Sequence, residues 1–390
     1  MQFLYILLLI PSWLSAAPYF PTDYESSRTR FEALTELVDD TQFKKEVGQF
    51  VVNSPILKDQ DLKVSWALLN PIKPTKKVVL MTCGTHGIES HVSCGFLLDQ
   101  FEKVVREGSE VAYLFIHALN PYGFKYSRRV TENNVDLNRN FIIKRDHFED
   151  PNSAYPEVEV FLNRPSPARD DIFFNIDHFF YSLFYVAKLG MNHFRQAVVQ
   201  GQYSYSTGLF YGGSDLEVQG KWLLEWLPQI LSGYDEVLAL DYHTGYGARG
   251  DLHLFGSSLL RQDLKNDLQE LFGDKKIDWG DSKDFYQTLG DYTDFLVQIL
   301  PAKRVMPMTF EFGTLDSQTT LGSLKSLKIM RLENQLFHWK AMGEMDSKDI
   351  KDKFKEMFFP SDPLWEQMVK DHNQAVLPQA IENFSKSGKK

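Results

Sequence analysis

The sequence predicts an α/β fold, a mostly parallel or mixed sheet covered by helices on both faces, and three observations carry that expectation. Short β-branched or apolar runs closed by turn residues recur at 78–81, 111–117, 236–240, 252–255 and 305–310, as strands do. Between them lie longer stretches with apolar residues at helical spacing, at 90–105, 170–188, 216–231, 259–271 and 321–342. Strands that alternate with helices build a sheet with both faces covered. The third observation is where the chemistry-bearing residues stand. His86 follows the first of those runs, His243 the third and Glu311 the last, and in such sheets sites gather beyond the carboxyl ends of the strands.

A chain of 390 residues, 43% hydrophobic and 24% charged, can bury a large core. Its net charge of -10 argues against nucleic acid or an anionic membrane as the main partner, since neither polyanion is attracted to such a surface. Phe3 to Ile10 form an apolar run, extended by Trp13 and Leu14 and followed by Ser15, Ala16 and Ala17. That is the layout of a cleaved export signal over residues 1–17, and it falls short of the roughly 20 apolar residues of a spanning helix. The expectation is a secreted or periplasmic protein without stable membrane insertion.

With no repeat and no Pro/Gly/Ser-rich linker, residues 18–345 read as one catalytic domain and 346–390 as a charged helical tail packed on its outside. Within the domain, 144–215 stand out as an aromatic helical insertion carrying Phe173, Phe174, Phe179, Phe180, Tyr181, Phe184 and Tyr185. Aromatics at helical spacing read as a packing face. The two cysteines, Cys83 and Cys94, are too few for a disulfide scaffold. They either pair or serve as two small buried apolar residues.

Four strings carry chemistry: Cys83-Gly-Thr-His86-Gly-Ile-Glu89, Asp136-Leu-Asn138-Arg139-Asn140, Asp241-Tyr-His243-Thr-Gly245 and Thr309-Phe-Glu311-Phe-Gly-Thr314. Two imidazoles and one carboxylate are the ligand set of a hydrolytic zinc centre that keeps a position open for water. His86 and Glu89, three apart on a turn entering a helix, project to one side and can grip one ion; Gly84 and Gly87 let the backbone turn there. Asp241 shares a strand face with His243, which suits either orientation of that imidazole or a structural ion pair. A carboxylate at Glu311, between two phenylalanines, is partly desolvated, which raises its proton affinity and suits a base; a buried capping partner is the other reading. Arg139, with Asn138 beside it, can clamp a carboxylate through parallel hydrogen bonds. An upstream arginine, Arg129 in preference to Arg128, can polarise a carbonyl. No GxSxG elbow supports a serine hydrolase.

Taken in order, HxxE at 86–89, Asn120-Pro-Tyr-Gly-Phe124, Val135-Asp-Leu-Asn-Arg-Asn-Phe141, the lone His243 and Thr309-Phe-Glu311 resemble the zinc carboxypeptidase superfamily of M14-type metallopeptidases, which also holds murein-peptide amidases, succinylglutamate desuccinylases and aspartoacylases. Tyr211-Gly-Gly213, with Asp-Tyr-His-Thr-Gly and Glu-Phe-Gly-Thr, is most similar to the DUF2817 branch. The resemblance covers about residues 78–315. It implies a twisted mixed sheet with helices on both faces and one zinc held by His86, Glu89 and His243. It further implies Glu311 as general base, Arg129 as carbonyl polariser, and Asn138 with Arg139, and Arg128 as the alternative arginine, around a substrate carboxylate. Tyr286 and Tyr292 stand as candidates for the capping tyrosine. The expected substrate is a peptide or acyl amino acid with a free carboxylate. The expected reaction is hydrolysis of a C-terminal peptide bond; an amidase or deacylase, or a ligand-binding protein that has lost turnover, is the alternative.

Overall fold

The computed structural model describes residues 17–53, 61–144, 152–280 and 288–387. The proposed export signal, apart from its last residue, and Tyr286 lie outside them. In chain order the elements are α1 (Tyr24–Glu36), β1 (Phe43–Val51), β2 (Lys63–Pro71), β3 (Lys77–Thr82), α2 (Ser90–Glu107), β4 (Ala112–His117), α3 (Pro121–Lys125), α4 (Tyr155–Leu162), α5 (Ile172–Leu189), α6 (Met191–Val199), α7 (Val218–Ile230), β5 (Glu236–Gly245), β6 (Leu252–Gly256), α8 (Gln262–Phe272), β7 (Ile277–Asp278), α9 (Tyr292–Ile299), β8 (Arg304–Gly313), α10 (Thr320–Trp339), α11 (Glu344–Phe358) and α12 (Pro363–Lys386).

Among the described residues, eight strands form one sheet in the order β1-β2-β4-β3-β5-β8-β6-β7. The central ribbon β4-β3-β5-β8 is parallel, while β1, β2 and β6 join it antiparallel. This is the mixed, mostly parallel sheet that the strand and helix alternation predicts. Strands β3, β4 and β5 are buried along almost their whole length, as strands covered on both faces are, and so they read as continuous apolar runs. Two of the strands outrun their apolar cores: β5 continues through His243 to Gly245, and β8 through Glu311 to Gly313. The outer pair β1 and β2 escapes the sequence reading because β1, FKKEVGQFV, alternates only weakly and is exposed at most positions, as a lysine-bearing edge strand is.

The carboxyl-terminal segment does more than cover the outside. Trp365 on α12 is fully buried and donates its indole N–H to the Gly313 carbonyl at 2.8 Å, and Val369, Leu377 and Phe384 join the main core. Cys83 and Cys94 form a disulfide, with Cα atoms 5.0 Å apart, that ties the end of β3 to α2. Of the aromatics singled out in the insertion, Phe174 and Tyr185 on the inner side of α5 are buried as expected, whereas Phe173, Phe179, Phe180, Tyr181 and Phe184 are exposed. A helix that is apolar all round cannot bury its whole circumference against one neighbour.

Two buried imidazoles make the fold sensitive to acid. His117 shares a 2.7 Å hydrogen bond with Ser27 Oγ, and burial lowers its pKa to about 3. His178 accepts from Arg331 at Nδ1, 2.8 Å away, and burial together with that guanidinium lowers it to about 4. Unfolded, both imidazoles protonate near pH 6.5. The unfolded state therefore binds more protons between about pH 6.5 and these lowered values, so stability rises with pH in that window and drains away as pH falls through it. At pH 5 each imidazole is expected to cost about 2 kcal/mol relative to pH 7.5, seen as a lower urea midpoint. A midpoint that does not move between those pH values would contradict the assignment.

Candidate metal and catalytic site

Strand β3 delivers the chain into the loop 83–89, whose path depends on two glycines. Gly84 has φ +76°, and a Cβ there would lie 2.6 Å from Ser90 Oγ. At Gly87 a Cβ would lie 2.2 Å from the Cα of Gly123, so the two backbones could not approach. The loop ends at Glu89, immediately before the first turn of α2, and leaves His86 and Glu89 2% and 1% exposed. On the sheet, the parallel register of β5 with β8 sets His243 opposite Glu311, so the two side chains are neighbours on one face.

The loop and the two strands thus bring four predicted residues together. The ring centroids of His86 and His243 are 4.9 Å apart. His243 Nε2 lies 2.7 Å from Asp241 Oδ2, and Asp241 is itself held by Thr85 Oγ1 at 3.0 Å. With its Nε2 proton fixed on Asp241, His243 turns Nδ1 to Glu89 Oε2 at 3.1 Å, and the Thr244 N–H donates to the same oxygen at 3.0 Å. Of the two readings for Asp241, its contacts place it behind the imidazole, where it sets the ring's tautomer and direction.

Arg129 spans the site. It donates Nη1 to Glu89 Oε1 at 2.8 Å, Nη2 to His86 Nε2 at 2.6 Å and Nε to Asp136 Oδ2 at 3.0 Å. Asp136 Oδ1 is 3.3 Å from His86 Nδ1. Asp136 is the residue that sequence reasoning left without a role; its only sequence signal was its place two residues before Asn138.

His86, Glu89 and His243 could hold a metal ion: one ligand atom from each lies within 4.8 Å of the others. Tetrahedral zinc with bonds of about 2.1 Å sets its ligands about 3.4 Å apart, so the spacing is of the required size. The chemistry of the donor set agrees. His86 Nε2 and Glu89 Oε1 already gather around a guanidinium. Burial, with Arg129 and His243 nearby, pushes the His86 pKa far down, leaving its nitrogen lone pair available. Burial also opposes charge on His243, yet Asp241 and Glu89 outweigh it and raise that imidazole well above its ordinary range. A dry group of donors that draws positive charge to itself suits a divalent cation.

Glu311 is half-buried at the cavity wall and accepts the Tyr246 N–H at 2.8 Å. Burial, and then the negative charge of Glu89, raise its carboxyl to about 8. The partly desolvated carboxylate expected from its phenylalanine neighbours is present, and the capping contact to Tyr246 coexists with it.

His86, Glu89, Arg129, His243 and Glu311 line one cavity of about 520 Å³, with Asp136 and Asp241 behind them. Asn138 and Arg139 line it too: Asn138 Oδ1 accepts the Tyr292 N–H at 2.9 Å, and Arg139 donates Nε and Nη2 to the Val199 carbonyl at 2.9 and 2.7 Å. Phe194, Val198, Met330 and Phe358 add apolar wall, so the aromatic insertion and α11 both reach the site. Asp291 and Asp294 add an acidic stretch that sequence reasoning did not single out. Burial and then Asp291 raise Asp294 to about 6, and it accepts from Ser257 Oγ.

Two expectations are corrected. Arg128 does not face the cavity: it is 4% exposed, donates Nε to Glu333 Oε1 at 2.7 Å and Nη2 to Asn134 Oδ1 at 3.1 Å, and stacks on Phe337. In an irregular loop successive side chains diverge, so when Arg129 enters the site its neighbour points elsewhere. Tyr292 is no mobile cap. It is 1% exposed, its hydroxyl shares a 2.9 Å hydrogen bond with Thr82 Oγ1 and its ring packs on Phe141.

The model of the family described as "Protein of unknown function (DUF2817)" matches residues 20–372. No curated protein matches the sequence. Among solved structures, the chain is similar to one from Shewanella amazonensis SB2B provisionally described as a metallopeptidase, at 14% identity and TM-score 0.40, covering 83% of this chain and 95% of that one. It is similar to bovine thrombin-activatable fibrinolysis inhibitor in complex with tick carboxypeptidase inhibitor, at 14% identity and TM-score 0.44, covering 90% and 97%. A third is succinylglutamate desuccinylase/aspartoacylase from Rhodobacter sphaeroides, at 14% identity and TM-score 0.37, covering 77% and 67%.

Proposed function

We propose that this chain, which belongs to the DUF2817 family, is an exported zinc-dependent hydrolase that cleaves a C-terminal peptide bond or a related amide. The observation that carries this reading is the convergence of His86, Glu89 and His243 with Glu311 and Arg129 on one cavity. When bound, zinc supplies Lewis acidity that brings the pKa of a coordinated water toward about 7. Glu311, beside His243 and with raised proton affinity, takes a proton from the attacking water and hands it to the leaving nitrogen. Arg129 donates to the developing oxyanion, for which Nη2 must leave His86. Arg139 has two N–H bonds not spent on Val199 or Asn138 and offers them to the substrate carboxylate. Export is supported by the amino-terminal run and by the Cys83–Cys94 bridge, which suits an oxidising compartment.

The insertion walls one side of the site, since Phe194 and Val198 line it and Val199 binds Arg139. That favours short substrates, and with them a second reading, an amidase or deacylase acting on murein peptides or N-acyl amino acids. Parallel assays on dipeptides, murein tripeptides and acyl amino acids separate the two; activity on none of them counts against both. For the metal, the purified chain is expected to carry one zinc and the His86→Ala variant close to none, measured by elemental analysis. Equal zinc in the two proteins would refute that ligand.

A further inference from the structure

The outward side of α5 is the largest apolar surface that the described residues leave uncovered. Ile172, Phe173, Ile176, Phe179, Phe180 and Phe184 are between 48% and 67% exposed. Spaced three and four apart, they fall on one stripe opposite the buried Phe174, His178, Ser182 and Tyr185. Leu183 lies on the same stripe, 54% exposed, and no charged residue interrupts it. Taking about 200 Å² for a fully exposed side chain of this size, the stripe presents about 800 Å² of apolar surface. Monomers seldom expose more than a few hundred Å² in one patch.

We propose that a second copy of this chain covers this stripe, with the two α5 helices packed antiparallel about a two-fold axis near Phe180. Three observations favour a copy over other occupants. The area equals the roughly 800 Å² per partner of a stable interface. The stripe carries no polar atom that would need a partner of different chemistry, so it is complementary to itself, as a two-fold interface must be. Its rim holds ion pairs with both signs at each end, Arg169 with Asp171 at the start of α5 and Lys188 with Glu157 at its end. Antiparallel packing therefore sets acid and base of one copy against base and acid of the other and opposes the helix dipoles favourably. A lipid surface fits less well, because the chain carries a net charge of -10 and the rim shows no excess of lysine or arginine.

Sedimentation of the purified chain tests this. The expected mass is that of two chains, falling to a single chain in the Phe180→Asp/Phe184→Asp variant with an unchanged far-UV spectrum, since both side chains are exposed. Orientation is read by oxidation of single cysteines, the two native ones being bridged. Phe180→Cys should link to its own copy, while Ile176→Cys should link to Phe184→Cys in a mixture better than either links to itself. A single-chain mass at every concentration overturns the proposal, and co-sedimentation of that monomer with neutral vesicles would assign the stripe to a bilayer. A dimer that survives the double aspartate variant overturns the location.

Discussion

Glu311→Gln is expected to lower kcat by about 10²- to 10⁴-fold while zinc content and KM stay close to those of the parent, the loss typical of a missing general base. The amide keeps the shape of the carboxyl and can still accept the Tyr246 N–H that Glu311 holds at 2.8 Å, so the fold around it has no reason to move. What disappears is the ability to take a proton. The proposed transfer suits Glu311: burial and the neighbouring Glu89 raise its carboxyl to about 8, near the pH at which a proton must be both accepted and released. The negative charge of Glu89 also makes the neutral amide easy to bury, so the variant should be no less stable than the parent. Zinc analysis and steady-state kinetics on the same preparation separate the two functions. Slow turnover that is unchanged by the substitution would instead favour a ligand-binding protein that has lost catalysis.

What could be read from the sequence and what could not divides along physical lines. The candidate ligands were legible because the chain announces strand ends through composition, and a parallel sheet gathers such ends at one edge. Once β5 and β8 pair in register, His243 and Glu311 are neighbours without further information. The supporting residues were less legible. Asp136 faces both His86 and Arg129, yet nothing in a loop free of periodicity says which way a carboxylate turns. Arg128 and Arg129 differ by one position and point into different surroundings for the same reason. The pairing of Cys83 with Cys94 requires the distance between β3 and α2, which spacing alone does not supply. The exposed side of α5 shows the converse failure. Its apolar spacing correctly marked a helix, but a helix can be apolar on the side that its own chain does not cover.

The two adjacent arginines give the second large effect, and they should fail in different ways. Arg128→Met is expected to cost about 3–5 kcal/mol of stability, because truncating one member of a buried ion pair strands the other. Glu333 would keep its charge with only 11% of its side chain exposed, and Asn134 would lose the donor at 3.1 Å. Because Arg128 does not line the cavity, kcat measured on the folded protein should hardly change. Adding Glu333→Leu should recover much of the loss, since an apolar pair avoids the desolvation that the ion pair must overcome. Arg129→Met should differ in kcat, which it loses through the oxyanion contact; it should lose stability too, because it strands Glu89 and Asp136, whose side chains are 1% and 0% exposed. Urea unfolding and kinetics on both variants decide the matter. If Arg128→Met lost turnover without losing stability, the assignment of the two neighbouring side chains would have to be exchanged.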